Sequence, residues 1–101
     1  MAREEWSEFH VYLERAELKV TLGFQCQSTS GGYQVTEVYS EGVVAEYNRK
    51  MSTAPPEFRR LLVQGDLITN INGHTELREM LHQIFGRTNL HLKVKRFVWW
   101  I

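Results

Sequence analysis

Gly65-Asp66-Leu67-Ile68-Thr69-Asn70-Ile71-Asn72-Gly73 is the stretch on which the reading of the whole chain turns. It opens on a turn, runs through a short apolar strand (Leu67–Ile71) and closes on Asn-Gly. That pair tolerates the positive φ angles of a tight two-residue turn. Asp66, a carboxylate directly after glycine at a strand entry, reads as a group satisfying local amides rather than a catalytic acid.

After this stretch, Thr75 is the expected N-cap of a helix. Leu77, Met80, Leu81 and Ile84 follow at i, i+3, i+4 and i+7, one apolar helical face, with Gly86 placed for a left-handed C-terminal cap. Leu90, Leu92 and Val94 then alternate with His91, Lys93 and Lys95, a half-buried closing strand that runs to Arg96.

Before it, Ser40 is the expected cap of a first helix carrying Val43, Val44, Tyr47 and Met51. Ser52-Thr53-Ala54-Pro55-Pro56 breaks that helix, and Pro56 suits the opening of a short turn through Phe58–Leu61. Earlier still, Phe9, Val11 and Leu13 alternate, as do Leu18, Val20 and Leu22, then Phe24 and Cys26. Ser28-Thr29-Ser30-Gly31-Gly32 is the loop of a hairpin into a third strand, Tyr33–Tyr39, with a phase slip near Thr36. The expected fold is mainly β with two helices (α+β), a partly open barrel of five to six short strands capped by two α-helices.

The chain has 101 residues, enough for one modest core. Lys+Arg and Asp+Glu each number 12, so no net field favours nucleic acid or an anionic membrane. One cysteine, Cys26, excludes an internal disulfide and fits a reducing, cytoplasmic setting, at a membrane only through partners. The start lacks an apolar leader and no stretch approaches a membrane span. His10, His74, His82 and His91 show no metal-ligand spacing, and Cys26 lies on an inward phase where thiols are usually inert. No phosphate-binding glycine loop or paired-carboxylate motif occurs. The expectation is a non-enzyme without cofactor or metal.

Thr21-Leu22-Gly23-Phe24 is then the segment that carries function. An apolar-Gly-apolar turn lets backbone amides converge on an anion, and Gly23 has no Cβ to block the approach. A strand leaving the turn from Phe24 to Ser28 offers an edge, and the Leu77/Leu81/Ile84 face of the second helix an opposite wall. A peptide added there as a strand would set its terminal carboxylate at the loop.

In Leu22-Gly23-Phe24, Gly42-Val43-Val44-Ala45, Gly65-Asp66-x-Ile68-x-x-Ile71-Asn72-Gly73 and Leu90-x-Leu92-x-Val94-x-Arg96, residues 8–96 resemble the PDZ domain family. Residues 1–7 then form an N-terminal extension and 97–101 an apolar tail. Thr21 departs from the family, many members of which have a further glycine there, and extra residues surround Pro55-Pro56. The resemblance implies a protein-protein interaction module that binds C-terminal peptides of partner proteins. The amides of Leu22, Gly23 and Phe24 would hold the carboxylate. Leu22, Phe24, Cys26 and Ile84 would line the pocket for the last side chain, Gln25 and Gln27 would face along the ligand, and Lys19 or Arg15 would add positive charge through water.

The first residue of the family's second helix sets ligand class. Leu77 there, with Leu81 a turn on, implies an apolar residue two before the ligand terminus. His74 or Thr75 there would instead imply Ser or Thr.

The tail Phe97-Val98-Trp99-Trp100-Ile101 has two readings. Either Trp99 or Trp100 packs on Trp6 or Phe9, or Trp99-Trp100-Ile101 is itself a ligand. Five extended residues reach roughly 17 Å, so a ligand tail would enter a neighbouring molecule's groove. A self-associating structural domain with an occluded or tail-filled groove is therefore the alternative function, and a regulatory domain of a larger enzyme a third.

Overall fold

Two alternating segments from opposite ends of the sequence pair with each other in the sheet. The computed structural model describes residues 3–100, without the side chains of 3–5, 58 and 98–100. In chain order the elements are β1 (Arg3–Glu14), β2 (Phe24–Thr29), β3 (Gly32–Val38), α1 (Val43–Ser52), a 3-10 turn (Pro56–Phe58), β4 (Leu67–Ile71), α2 (Leu77–Gly86) and β5 (Asn89–Trp100). The strands form one open antiparallel sheet in the order β1-β5-β4-β3-β2, and with the two helices make an α+β fold. β1 and β2 are its edges.

The β1–β5 ladder sets Phe9 against Val94, Val11 against Leu92 and Leu13 against Leu90, and all six side chains are buried. Both strands run past the alternating stretches, because residues 3–7 pair with 96–100. Trp6 on this extension packs edge-on against Phe97, with ring centroids 4.9 Å apart. Trp99 and Trp100 lie in the ladder by backbone; their side chains and Ile101 are outside the described residues, and with them the two readings of the tail.

Two strands carry apolar residues three apart, a spacing that a regular strand would send to opposite faces. In β3 the pairing shifts so that Gln25 faces Glu37 and Cys26 faces Val35, leaving Thr36 as the extra residue. This is the phase slip that the sequence suggested. In β4 the shift falls between Ile68 and Asn70, so Ile68 and Ile71 both reach the core at 0% exposure. Each bulge returns the strand to phase.

The Asn-Gly turn forms as the sequence implies. Asn72 and Gly73 take φ of 53° and 89°, and Ile71 and His74 exchange both backbone hydrogen bonds. Asn72 does more than turn the chain. Its Oδ1 accepts the His91 amide at 2.7 Å, and its Nδ2 donates to Gln83 Oε1 and the Asn89 carbonyl. The turn is thereby tied to β5 and to α2. Asn72→Ala leaves the His91 amide without its partner and puts a Cβ-bearing residue without a polar side chain at positive φ. We expect a loss of about 2 kcal/mol in urea unfolding; an unchanged midpoint would show that the side chain is dispensable.

Helix ends differ from the sequence expectation. Ser40 does not cap α1; Gly42 does, with no side-chain bond, and the amides of Val43 and Val44 donate to the carbonyls of Thr21 and Leu22. Backbone from a distant loop satisfies donors that a serine would otherwise serve. Glu76, not Thr75, is the residue before α2. Gly86 is the last helical residue rather than a left-handed cap, and Arg87 follows it in an extended conformation. The Leu18-Val20-Leu22 alternation is no strand either. Residues 15–23 form a loop, Leu18 is exposed, and only Leu22 of the three enters the core.

A buried ion pair fixes the approach to β4. Asp66 is 1% exposed, and the Arg96 guanidinium donates to Oδ1 at 2.8 Å and Oδ2 at 2.9 Å. The Val63 amide donates to Oδ2 as well, and Arg96 also reaches the Leu61 carbonyl. These hydrogen bonds to Asp66 hold the Arg96 pKa above its ordinary value. Arg96 further lies over the Phe9 ring, 4.9 Å from its centroid.

Candidate functional site

The loop ahead of β2 is held from one side only. Its carbonyls at Thr21, Leu22 and Gly23 accept hydrogen bonds from the amides of Val43 (3.2 Å), Val44 (2.9 Å) and Tyr39 (2.9 Å). In a planar trans peptide the C=O and the following N–H point in opposite directions, and the chain contains no cis peptide among the described residues. The amides of Leu22, Gly23 and Phe24 therefore face away from α1 and Tyr39. Among the described residues, no acceptor takes the Leu22 or the Gly23 amide. Both residues are buried, and donors in buried residues are nearly always paired.

Glycine is required where this loop meets α1. Gly23 has φ of 86°, and a Cβ on it would sit 2.4 Å from the Glu41 carbonyl oxygen. Gly42, at φ 121°, returns the contact: its Cβ would lie 2.9 Å from Gly23 Cα. The two backbones cross with no room for a side chain on either. Thr21 is not at positive φ, so the position where the resemblance expects a further glycine does not need one.

A pocket of about 360 Å³ opens beside this loop, between β2 and α2. Of the residues expected to bind a peptide, Leu22, Gly23, Phe24, Cys26, Leu81 and Ile84 line it. Leu77 does not. It sits half-buried at the first turn of α2, packed against the core, where its carbonyl accepts the Tyr33 hydroxyl at 3.0 Å. Gln25 and Gln27 are exposed, on the opposite phase of β2 from Phe24 and Cys26. His74 and Thr75 precede α2 and are not its first residue. Hollows of about 290 and 370 Å³ elsewhere on the surface are lined by no residue of β2 or α2.

Further residues shape the pocket: Arg15, which the resemblance brought near it only as a charge acting through water, and Leu18 and Phe85, which the sequence did not place there. Arg15 lines it while only 8% exposed. Its guanidinium donates to the carbonyls of Ile84, Arg87 (2.9 Å) and Val20 (3.5 Å), so a side chain, rather than a glycine turn, satisfies the C-terminal end of α2. Among the described residues no carboxylate pairs with it, and Arg15 Nε is buried without a hydrogen-bond partner. A signal for this was available, since Arg15 continues the inward phase of Phe9, Val11 and Leu13 with a charge. Leu18 and Phe85 complete the rim, and neither breaks the sequence pattern in a way that marks it. Lys19 also lines the pocket and pairs with Glu17 at 3.7 Å.

The site therefore combines unpaired amides, a buried cation short of an anion, an apolar pocket and a sheet edge. Cys26 sits half-buried in its wall, and burial pushes its thiol pKa up, away from the reactive thiolate. Among the described residues no cluster of three or more His, Cys, Asp or Glu is placed to hold a metal, and no helix is long and apolar enough to cross a membrane. Set against family models and against curated proteins, the chain matches none.

Proposed function

We propose that this protein is a PDZ-like interaction module, a partly open barrel capped by two helices, that binds the C-terminal peptides of partner proteins. The peptide adds as a strand to the β2 edge, its carboxylate accepts the amides of Leu22, Gly23 and Phe24, and its last side chain enters the pocket. The observation that carries this reading is the pair of unpaired amides, Leu22 and Gly23, beside a pocket and an edge strand. Arg15 supports it, because it lines the same pocket and, among the described residues, no carboxylate offsets its charge. A lone free cysteine supports a cytoplasmic setting. Burying one terminal side chain contributes about 1.5–3 kcal/mol.

The test is a C-terminal peptide library, with each hit remade as free acid and as amide. Free acids should bind at least about tenfold more tightly, the order of a charge-assisted hydrogen bond to each of two amides. Equal binding of acid and amide would sink the reading. Leu81→Glu should abolish capture while the circular dichroism spectrum is unchanged, since Leu81 is only half-buried.

Cys26 gives an independent readout. Its raised pKa should make alkylation by iodoacetamide at pH 8 slower than that of a free thiol. A saturating peptide should slow it further. Unchanged labelling in the presence of bound peptide would place the ligand elsewhere.

A further inference from the structure

Two exposed apolar side chains, from different elements, line the same pocket. Leu18, in the loop between β1 and β2, is 49% exposed, and Phe85, near the end of α2, is 73% exposed. Leu22 and Ile84 of the pocket are buried, and Phe24 and Leu81 are packed against the core. A larger terminal side chain can remove more of the exposed Leu18 and Phe85 surface from water than valine can, and the gain scales with that apolar area.

From this we infer that the groove selects partners whose chains end in an aromatic residue, Phe or Trp, with Leu18 and Phe85 as the specificity-determining residues. The inference rests on the peptide-end reading above. What commits the occupant to a chain terminus, rather than an apolar face of another protein, is charge. The unpaired amides of Leu22 and Gly23, with the positive charge of Arg15 in the lining, call for an anion at the same pocket that takes the side chain. An aromatic residue carrying its own α-carboxylate meets both demands with one residue. It fixes the ring next to the anion site and so aims it outward along the rim.

The experiment titrates the full 101-residue chain with hexapeptides identical except at the last residue, which is Val, Leu, Phe or Trp, each as free acid and amide. The expected result is Phe and Trp acids binding at least about tenfold more tightly than Val, a ratio that differences of one or a few buried carbons can supply. Leu18→Ser and Phe85→Ser alter exposed side chains, so both variants should fold. Each should lower affinity for the Trp acid severalfold and by more than it lowers affinity for the Val acid, so that the Trp-to-Val ratio falls. If acids outbind amides but Val and Trp acids bind alike, the aromatic preference is overturned and the peptide-end reading stands. If both variants weaken Val and Trp acids equally, Leu18 and Phe85 do not determine specificity and the inference is again overturned. If acid and amide never differ, the peptide-end reading fails and takes the inference with it.

Discussion

Asp66→Ala is expected to cost at least about 3 kcal/mol, the lower end of the range for breaking a buried ion pair. The lower end applies because the Arg96 side chain is 37% exposed and part of its charge is solvated after the carboxylate is lost. The Val63 amide loses its acceptor too. For a domain of this size such a loss lowers Tm by about 12 °C or more. Arg96→Met tests the same pair from the other side. It leaves a carboxylate that is 1% exposed with only the Val63 amide for company, so it should destabilise at least as much as Asp66→Ala. A thermal melt of either variant within about 2 °C of the parent would show that the pair is dispensable, since a loss of only about 0.5 kcal/mol, the middle of the range for a surface pair, already shifts Tm by about that much.

Gly23→Ala should lose both stability and ligand capture. The φ of 86° alone costs roughly 1–2 kcal/mol for a residue with a Cβ. The methyl would also meet the Glu41 carbonyl oxygen at 2.4 Å, backbone against backbone, with no flexible side chain to yield. Together the two effects should exceed about 2 kcal/mol, read from urea unfolding. Relief requires the loop to pull away from α1, which breaks the bonds from Val43 and Val44 and turns the amides of Leu22 and Gly23 out of position. Binding of a C-terminal peptide should then fall by more than the stability change predicts for a fully refolded sample. Gly42→Ala should give the same phenotype, because it occupies the other side of the crossing. Wild-type binding by a destabilised Gly23→Ala protein would separate the loop from the site.

The elements whose signal is local were legible in the sequence. Phe9-Val11-Leu13 and Leu90-Leu92-Val94 advertise their strands by alternation, and Leu77-Met80-Leu81-Ile84 its helix by spacing. The Asn72-Gly73 turn and the slip at Thr36 were equally readable, because each is decided within a few residues. What failed was decided across the fold. Ser40, Thr75 and Gly86 are good capping residues in isolation, but the donors at the start of α1 are taken by Thr21 and Leu22, and the acceptors at the end of α2 by Arg15. Leu18-Val20-Leu22 alternates like a strand, yet no neighbouring strand pairs with it, so it stays a loop. In the candidate site, the loop amides and the α2 face followed from motif and period. Leu18 and Phe85 did not, and Arg15 was expected only as a charge acting through water, because a residue's place on a pocket rim depends on where a second element ends.

The position of β5 between β1 and β4 bears on the order in which the molecule can assemble. β2 and β3 form a local hairpin, and β4 can join them early. β1 has no such recourse: its one partner in the sheet is β5, which begins only at Asn89. During synthesis, Phe9, Val11 and Leu13 therefore wait as a solvent-exposed apolar strand until residues 89–100 arrive. Closure depends on contacts of high sequence separation, the kind that slows folding and leaves a window for aggregation. Arg15 and Arg96 both act in that last step, since one ties β1 to the end of α2 and the other pins β5 to Asp66.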